Sequence, residues 1–76
     1  MEAEKRWLSI DGLEFIAKIG ISAGHKVIDF GCGDGFYTFP AAKVVQAQGR
    51  VYALDSDETT IQKIKHKAAE GLFVFN

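Results

Sequence analysis

Hydrophobic positions change period several times along this chain, and each change marks an element. Leu13, Phe15, Ile16 and Ala17 form an apolar stripe at helical spacing. Ser9 is placed to cap a helix starting near Ile10, Gly20 to stop it, and Gly12 weakens its start. Ile21 to Lys26, with Ser22, Ala23 and Gly24, reads as a turn. Val27 to Phe30 is short, apolar and β-branched at its start, which predicts a buried strand. Gly31, Gly33 and Gly35 follow at alternate positions. A second helix is predicted from about Phe36 to Gln46, packing through Ala41, Ala42, Val44 and Val45, with Pro40 disturbing its first turn.

Gly49 closes that helix, and Arg50 to Leu54 reads as a second strand ending at Asp55. Ser56 or Asp57 caps a third helix, with Ile61, Ile64 and Ala68 inside and Lys63, Lys65, Lys67 and Glu70 outside. Gly71 ends it, and Leu72 to Asn76 begins a third strand. Strands alternating with helices imply an α/β fold with a parallel sheet and right-handed crossovers. Ligands of such sheets bind at the carboxyl ends of the strands, where Gly31–Gly35 and Asp55 both lie.

A length of 76 residues allows one small domain. The chain is 47% hydrophobic and 25% charged, as an ordinary folded domain is. A net charge of −1 supplies no general attraction to nucleic acid or an anionic membrane. Cys32 is the one cysteine, so no intramolecular disulfide can form, and His25 and His66 stand outside any metal-ligand spacing. The start, Met1 to Arg6, is charged and leads into no long apolar run, so neither a signal peptide nor a membrane span is expected. The expected location is the cytoplasm.

A glycine-rich turn between strand and helix lets backbone approach a ligand where no Cβ intervenes. The helix beyond it offers unpaired N–H groups and a positive dipole end. An acid about twenty residues on, at the end of the second strand, can accept hydrogen bonds from ribose hydroxyls, and Asp55 occupies that place. The dinucleotide fingerprint G-x-G-x-x-G needs a small residue at position 36, where this chain carries Phe36. That argues against NAD or FAD, and no phosphate-loop G-x-x-x-x-G-K-[ST] run is present.

Asp29-x-Gly31-x-Gly33-x-Gly35 is similar to motif I of the class I S-adenosylmethionine-dependent methyltransferases. Gly49 to Asp55 resembles that family's second strand with its ribose-binding acid, and Tyr37 to Lys43 resembles its first crossover helix. The match runs from about Ile19 to Gly71. The resemblance implies a Rossmann-like parallel sheet, here truncated to about three strands and three helices. It makes residues 1–76 the N-terminal, cofactor-binding half of a methyltransferase domain, with S-adenosylmethionine as cofactor and an acceptor that the sequence leaves open. By the same resemblance, backbone around Gly31, Cys32 and Gly33 would hold the cofactor's methionine part, and Asp29 its amino group. Gly35 would permit tight entry into the helix, Asp55 would hold the ribose, and Ser56 would lie beside the adenine. No catalytic residue can be assigned.

Simpler readings stand beside these. Asp29 can cap the glycine turn, Asp55 can cap the third helix, Cys32 can simply pack, and Trp7 can pin the N-terminal arm. The cluster Lys63, Lys65, His66 and Lys67 reads as a solvated helix face. The family fold has about seven strands, and its fourth lies beside the first. The first strand is therefore expected to have one bare edge, so that the chain is a fragment of a longer protein, pairs with a second copy or another subunit there, or is a poorly stable remnant. A dinucleotide-binding piece of an oxidoreductase and a non-enzymatic assembly module are the alternatives.

Overall fold

A computed structural model describes residues 1–69 and 74–75 of the chain. Its first element is longer than the apolar stripe predicts. Helical backbone runs from α1 (Ala3–Arg6) through a π-helical turn (Trp7–Asp11) into α2 (Gly12–Lys18). Ser9 is thus not a helix cap; its hydroxyl donates back to the Lys5 carbonyl at 2.5 Å, four residues earlier. The added turns bury nothing of α1, so the sequence carries no apolar signal for them; Ala3, Glu4, Lys5 and Arg6 form helix by intrinsic preference. Gly12 lies within the helix and marks a close approach. A Cβ there would stand 2.5 Å from the Trp7 carbonyl oxygen and 2.8 Å from Pro40 Cγ.

β1 (Lys26–Phe30), β2 (Arg50–Leu54) and β3 (Val74–Phe75) form one parallel sheet in the order β1-β2-β3. The connections are α3 (Thr38–Val45) and α4 (Glu58–Ala69). α3 starts two residues later than predicted, because positions 31–37 are spent on the glycine turn. Pro40 then falls in the first helical turn, where a missing N–H is no loss. α4 is capped by Asp57, whose carboxylate accepts the Thr59 N–H at 2.9 Å. The predicted stop at Gly71, the outer position Glu70, and Leu72, Phe73 and Asn76 of the third strand lie outside the described residues.

The two faces of the sheet differ. Val27 pairs in register with Val51 and Asp29 with Ala53, and Val51 and Ala53 are fully buried beneath Phe39, Ala42 and Val45 of α3 and Ile61 and Ile64 of α4. Right-handed crossovers between consecutive parallel strands put both helices on that side. Ile28 and Phe30 alternate onto the other face, level with Tyr52 and Leu54, and are 61% and 79% exposed. Among the described residues no strand pairs with the second edge of β1. The exposed Ile28 and Phe30 adjoin that edge.

Candidate functional site

The carboxyl ends of β1 and β2 meet at the glycine turn. Gly31 and Cys32 both donate their N–H to the Leu54 carbonyl, at 2.7 and 3.0 Å, which draws the turn over the end of β2. Gly31, Gly33 and Gly35 all have positive φ, of 68°, 53° and 86°, a region that side chains with Cβ avoid. Their surroundings separate them. A Cβ on Gly31 would meet nothing within 4 Å, and on Gly33 only the Gly31 carbonyl at that limit. A Cβ on Gly35 would lie 2.6 Å from Phe39 Cδ2 and 2.9 Å from Ile64 Cδ1. Gly35 therefore serves the entry of α3 into the core, while Gly31 and Gly33 present bare backbone to open space.

Asp55 ties the two loops together. Its Oδ2 accepts the Gly33 N–H at 3.1 Å and its Oδ1 the Asp57 N–H at 2.9 Å. These two backbone donors, Asp57 first, hold its carboxyl below the ordinary aspartate value, so it is ionised throughout the neutral range. Asp55 is not the cap of α4, since Asp57 fills that role. Ser56 is exposed on the same loop, beyond Asp55.

Asp29, half-buried at the end of β1, accepts a hydrogen bond from the Thr38 hydroxyl at 2.5 Å. It does not cap the glycine turn: among the described residues its partner is this side chain on the first turn of α3. Bonds to a charged acceptor contribute about 1.5–3 kcal/mol in general, enough to fix a carboxylate's orientation. The sequence reading missed Thr38; a hydroxyl residue at a helix start, nine positions after a strand-end acid, was the signal available. Asp29 also lines a cleft of about 210 Å³ along the bare edge of β1, with Val27, Ile28 and Tyr37. A larger cleft, about 480 Å³, lies on the outer side of the turn, between the N-terminal helix, α3 and α4, and touches the turn only at Asp34 and Phe36.

Cys32 is buried under the turn and free. Burial first, and then the Asp29 and Asp55 carboxylates, push its thiol above the ordinary value, so it is a neutral packing group at pH 7. Trp7 pins the N-terminal helix to the end of the turn: its indole N–H donates to the Phe36 carbonyl at 2.6 Å, and its ring meets Phe15, Phe36 and Tyr37. Lys63, Lys65, His66 and Lys67 are exposed along α4, as a solvated face requires.

Acids dominate the loops themselves, while Lys43, Lys63 and Lys67 line the clefts on the outer side of the turn with Asp34. The strand end and the loops 31–37 and 55–57 carry Asp29, Asp34, Asp55 and Asp57, and no lysine or arginine. No cluster of histidine, cysteine and acid side chains suits a metal ion among the described residues. No helix among them is long and apolar enough to cross a membrane.

A family model described as a methyltransferase domain matches residues 21–75, from the turn before β1 into β3. The chain belongs to the class I S-adenosylmethionine-dependent methyltransferase family. It is 40% identical over 61 residues to the probable cobalt-precorrin-6B C(15)-methyltransferase (decarboxylating) of Saccharolobus solfataricus, covering 80% of this chain and 30% of that protein. It is 37% identical over 67 residues to the aklanonic acid methyltransferase DauC of a Streptomyces species, covering 78% of this chain and 30% of that one. The structure of a SAM-dependent methyltransferase from Aquifex aeolicus superposes with a TM-score of 0.76 at 29% identity, over 91% of this chain and 36% of that chain. The chain thus spans about a third of the length of the methyltransferases it matches, and the Rossmann-like α/β fold expected from motif I is the fold observed.

Proposed function

We propose that residues 1–76 are the cofactor-binding N-terminal portion of a methyltransferase domain, and that S-adenosylmethionine is held at the turn between β1 and α3. The observation that carries this is the pairing of open glycine backbone at Gly31 and Gly33 with an acidic surround. A ligand can approach that backbone closely, with Cys32 beneath. Gly35 contributes through the helix entry. Asp29 is the partner for the methionine ammonium group, Asp55 for the ribose hydroxyls, and Ser56 for the adenine edge.

Charge selects between ligand classes. Four carboxylates without a lysine or arginine in the loops disfavour a pyrophosphate and favour a ligand whose sulfonium and ammonium groups outweigh its one carboxylate. This argues against the dinucleotide reading independently of Phe36. When bound, the cofactor supplies an electrophilic methyl group. This chain's own residues bind and orient it, which is a proximity contribution to transfer. The acceptor-facing residues belong to the rest of the domain, and the expected location is the cytoplasm.

The test is calorimetric titration of the chain with S-adenosylhomocysteine, S-adenosylmethionine and NAD. Binding of the first two without NAD supports the proposal. A folded chain that responds to none at millimolar ligand, or only to NAD, overturns it.

The exposed Ile28 and Phe30 carry a second element of the reading. The edge of β1 and the face beside it are the surface on which the remainder of the domain packs, the matched relatives being about three times as long. Pairing of two copies through the same surface is the alternative, and the assembly reading depends on it. The mass and the unfolding of the chain in solution test both. A dimer that dissociates in Phe30→Ser favours self-association; a monodisperse, cooperatively unfolding monomer of wild type counts against both.

A further inference from the structure

We propose that Thr38 is a positioning residue for the cofactor's methionine end: it holds one oxygen of Asp29 and so presents the other to the ligand's ammonium group. The inference rests on the assignment of Asp29 made above and deepens it.

Thr38 is the one buried polar side chain among the described residues, with 0% exposure. It stands at the start of α3, immediately past the glycine turn, and its branched Cβ leaves it few rotamers once packed. Packing alone would be served as well by valine, which has the same shape and no hydroxyl to desolvate. The hydroxyl has a defined partner: Oγ1 donates to Asp29 Oδ2 at 2.5 Å, a charge-assisted bond. A strand-end aspartate otherwise turns about two soft torsions. With Oδ2 committed to the helix, Oδ1 is the oxygen left for a partner, and Asp29 lines a cleft beside Tyr37.

The ligand pair that tests this is S-adenosylhomocysteine and its analogue lacking the α-amino group, titrated into wild type, Thr38→Val and Thr38→Ser. Wild type is expected to prefer S-adenosylhomocysteine. Thr38→Val should lower that affinity about tenfold, as expected when a charge-assisted contact loses its alignment, and change the analogue's by less than about twofold. Thr38→Ser keeps the hydroxyl and should restore the preference, and Thr38→Val should add nothing in an Asp29→Asn background. Thr38→Ala replaces Thr38→Val if circular dichroism shows the latter unfolded. Equal loss for both ligands, or no loss for either, overturns the positioning role while leaving the cofactor site standing. Failure of wild type to bind either ligand overturns the cofactor assignment and this inference with it.

Discussion

Gly33 and Gly35 sit two residues apart in one turn, share a left-handed backbone, and differ in what surrounds them. Around Gly35 the absent Cβ is required by this chain itself, because Phe39 and Ile64 already fill the space. Around Gly31 and Gly33 nothing in the described residues fills it. Positive φ alone favours glycine at all three positions, and only Gly35 is glycine for lack of room as well. What Gly31 and Gly33 add is backbone that a ligand can approach without meeting a Cβ. Folding and binding are thus divided between neighbouring residues of one motif.

Substitution to alanine tests the division. Gly35→Ala should have the largest effect, combining about 1–2 kcal/mol of left-handed strain with about 1–3 kcal/mol of overpacking. A chain of this length has only about 4–11 kcal/mol in total, so urea unfolding should show a clearly lowered midpoint. A midpoint equal to that of Gly33→Ala would mean that Phe39 and Ile64 leave room for the Cβ. Gly33→Ala should carry the strain alone, about 1–2 kcal/mol, yet weaken S-adenosylhomocysteine binding tenfold or more, about 1.4 kcal/mol, by calorimetry. Unchanged affinity would mean that the open backbone is not a contact surface.

Two smaller effects sharpen the picture of the loop that Asp55 ties down. Its folded carboxyl value lies below the ordinary 3.8, so the bonds to Gly33 and Asp57 contribute in full above the unfolded value and are lost as pH falls through the folded one. The Gly33 amide resonance should stay constant from neutral pH to about 4.5 and move only below the ordinary aspartate value. Movement between pH 5 and 7 would contradict the bridge. The Cys32 thiol is raised above 9.0 and buried, so iodoacetamide at pH 8 should modify it more slowly than the same residue in urea-unfolded chain. Equal rates would place the thiol at the surface and remove it from beneath the turn.

Motif I and the second-strand acid were readable because their chemistry is local. A strand ending in Asp29, three alternate glycines and an acid closing the next strand are contiguous patterns, and β2 lies where its β-branched and apolar run predicts. The N-terminal helix was half-readable. The period of Leu13, Ile16 and Ala17 announced α2, whereas α1 buries nothing and so left no stripe to detect. Choosing Asp57 over Asp55 and Ser56 as the cap of α4 needed the three-dimensional path of the loop, because all three residue types are competent caps.

By itself, then, the sequence determined the family, the parallel α/β order and the residues that gather at the strand ends, since each of these follows from spacing along the chain. Tertiary structure alone decided which glycines face the core and which face open space, that Thr38 is the partner of Asp29, and that Ile28 and Phe30 of β1 stand exposed. Those facts depend on which helix packs over which strand, and residues such as Gly35 and Ile64, or Trp7 and Phe36, meet only once the chain has folded.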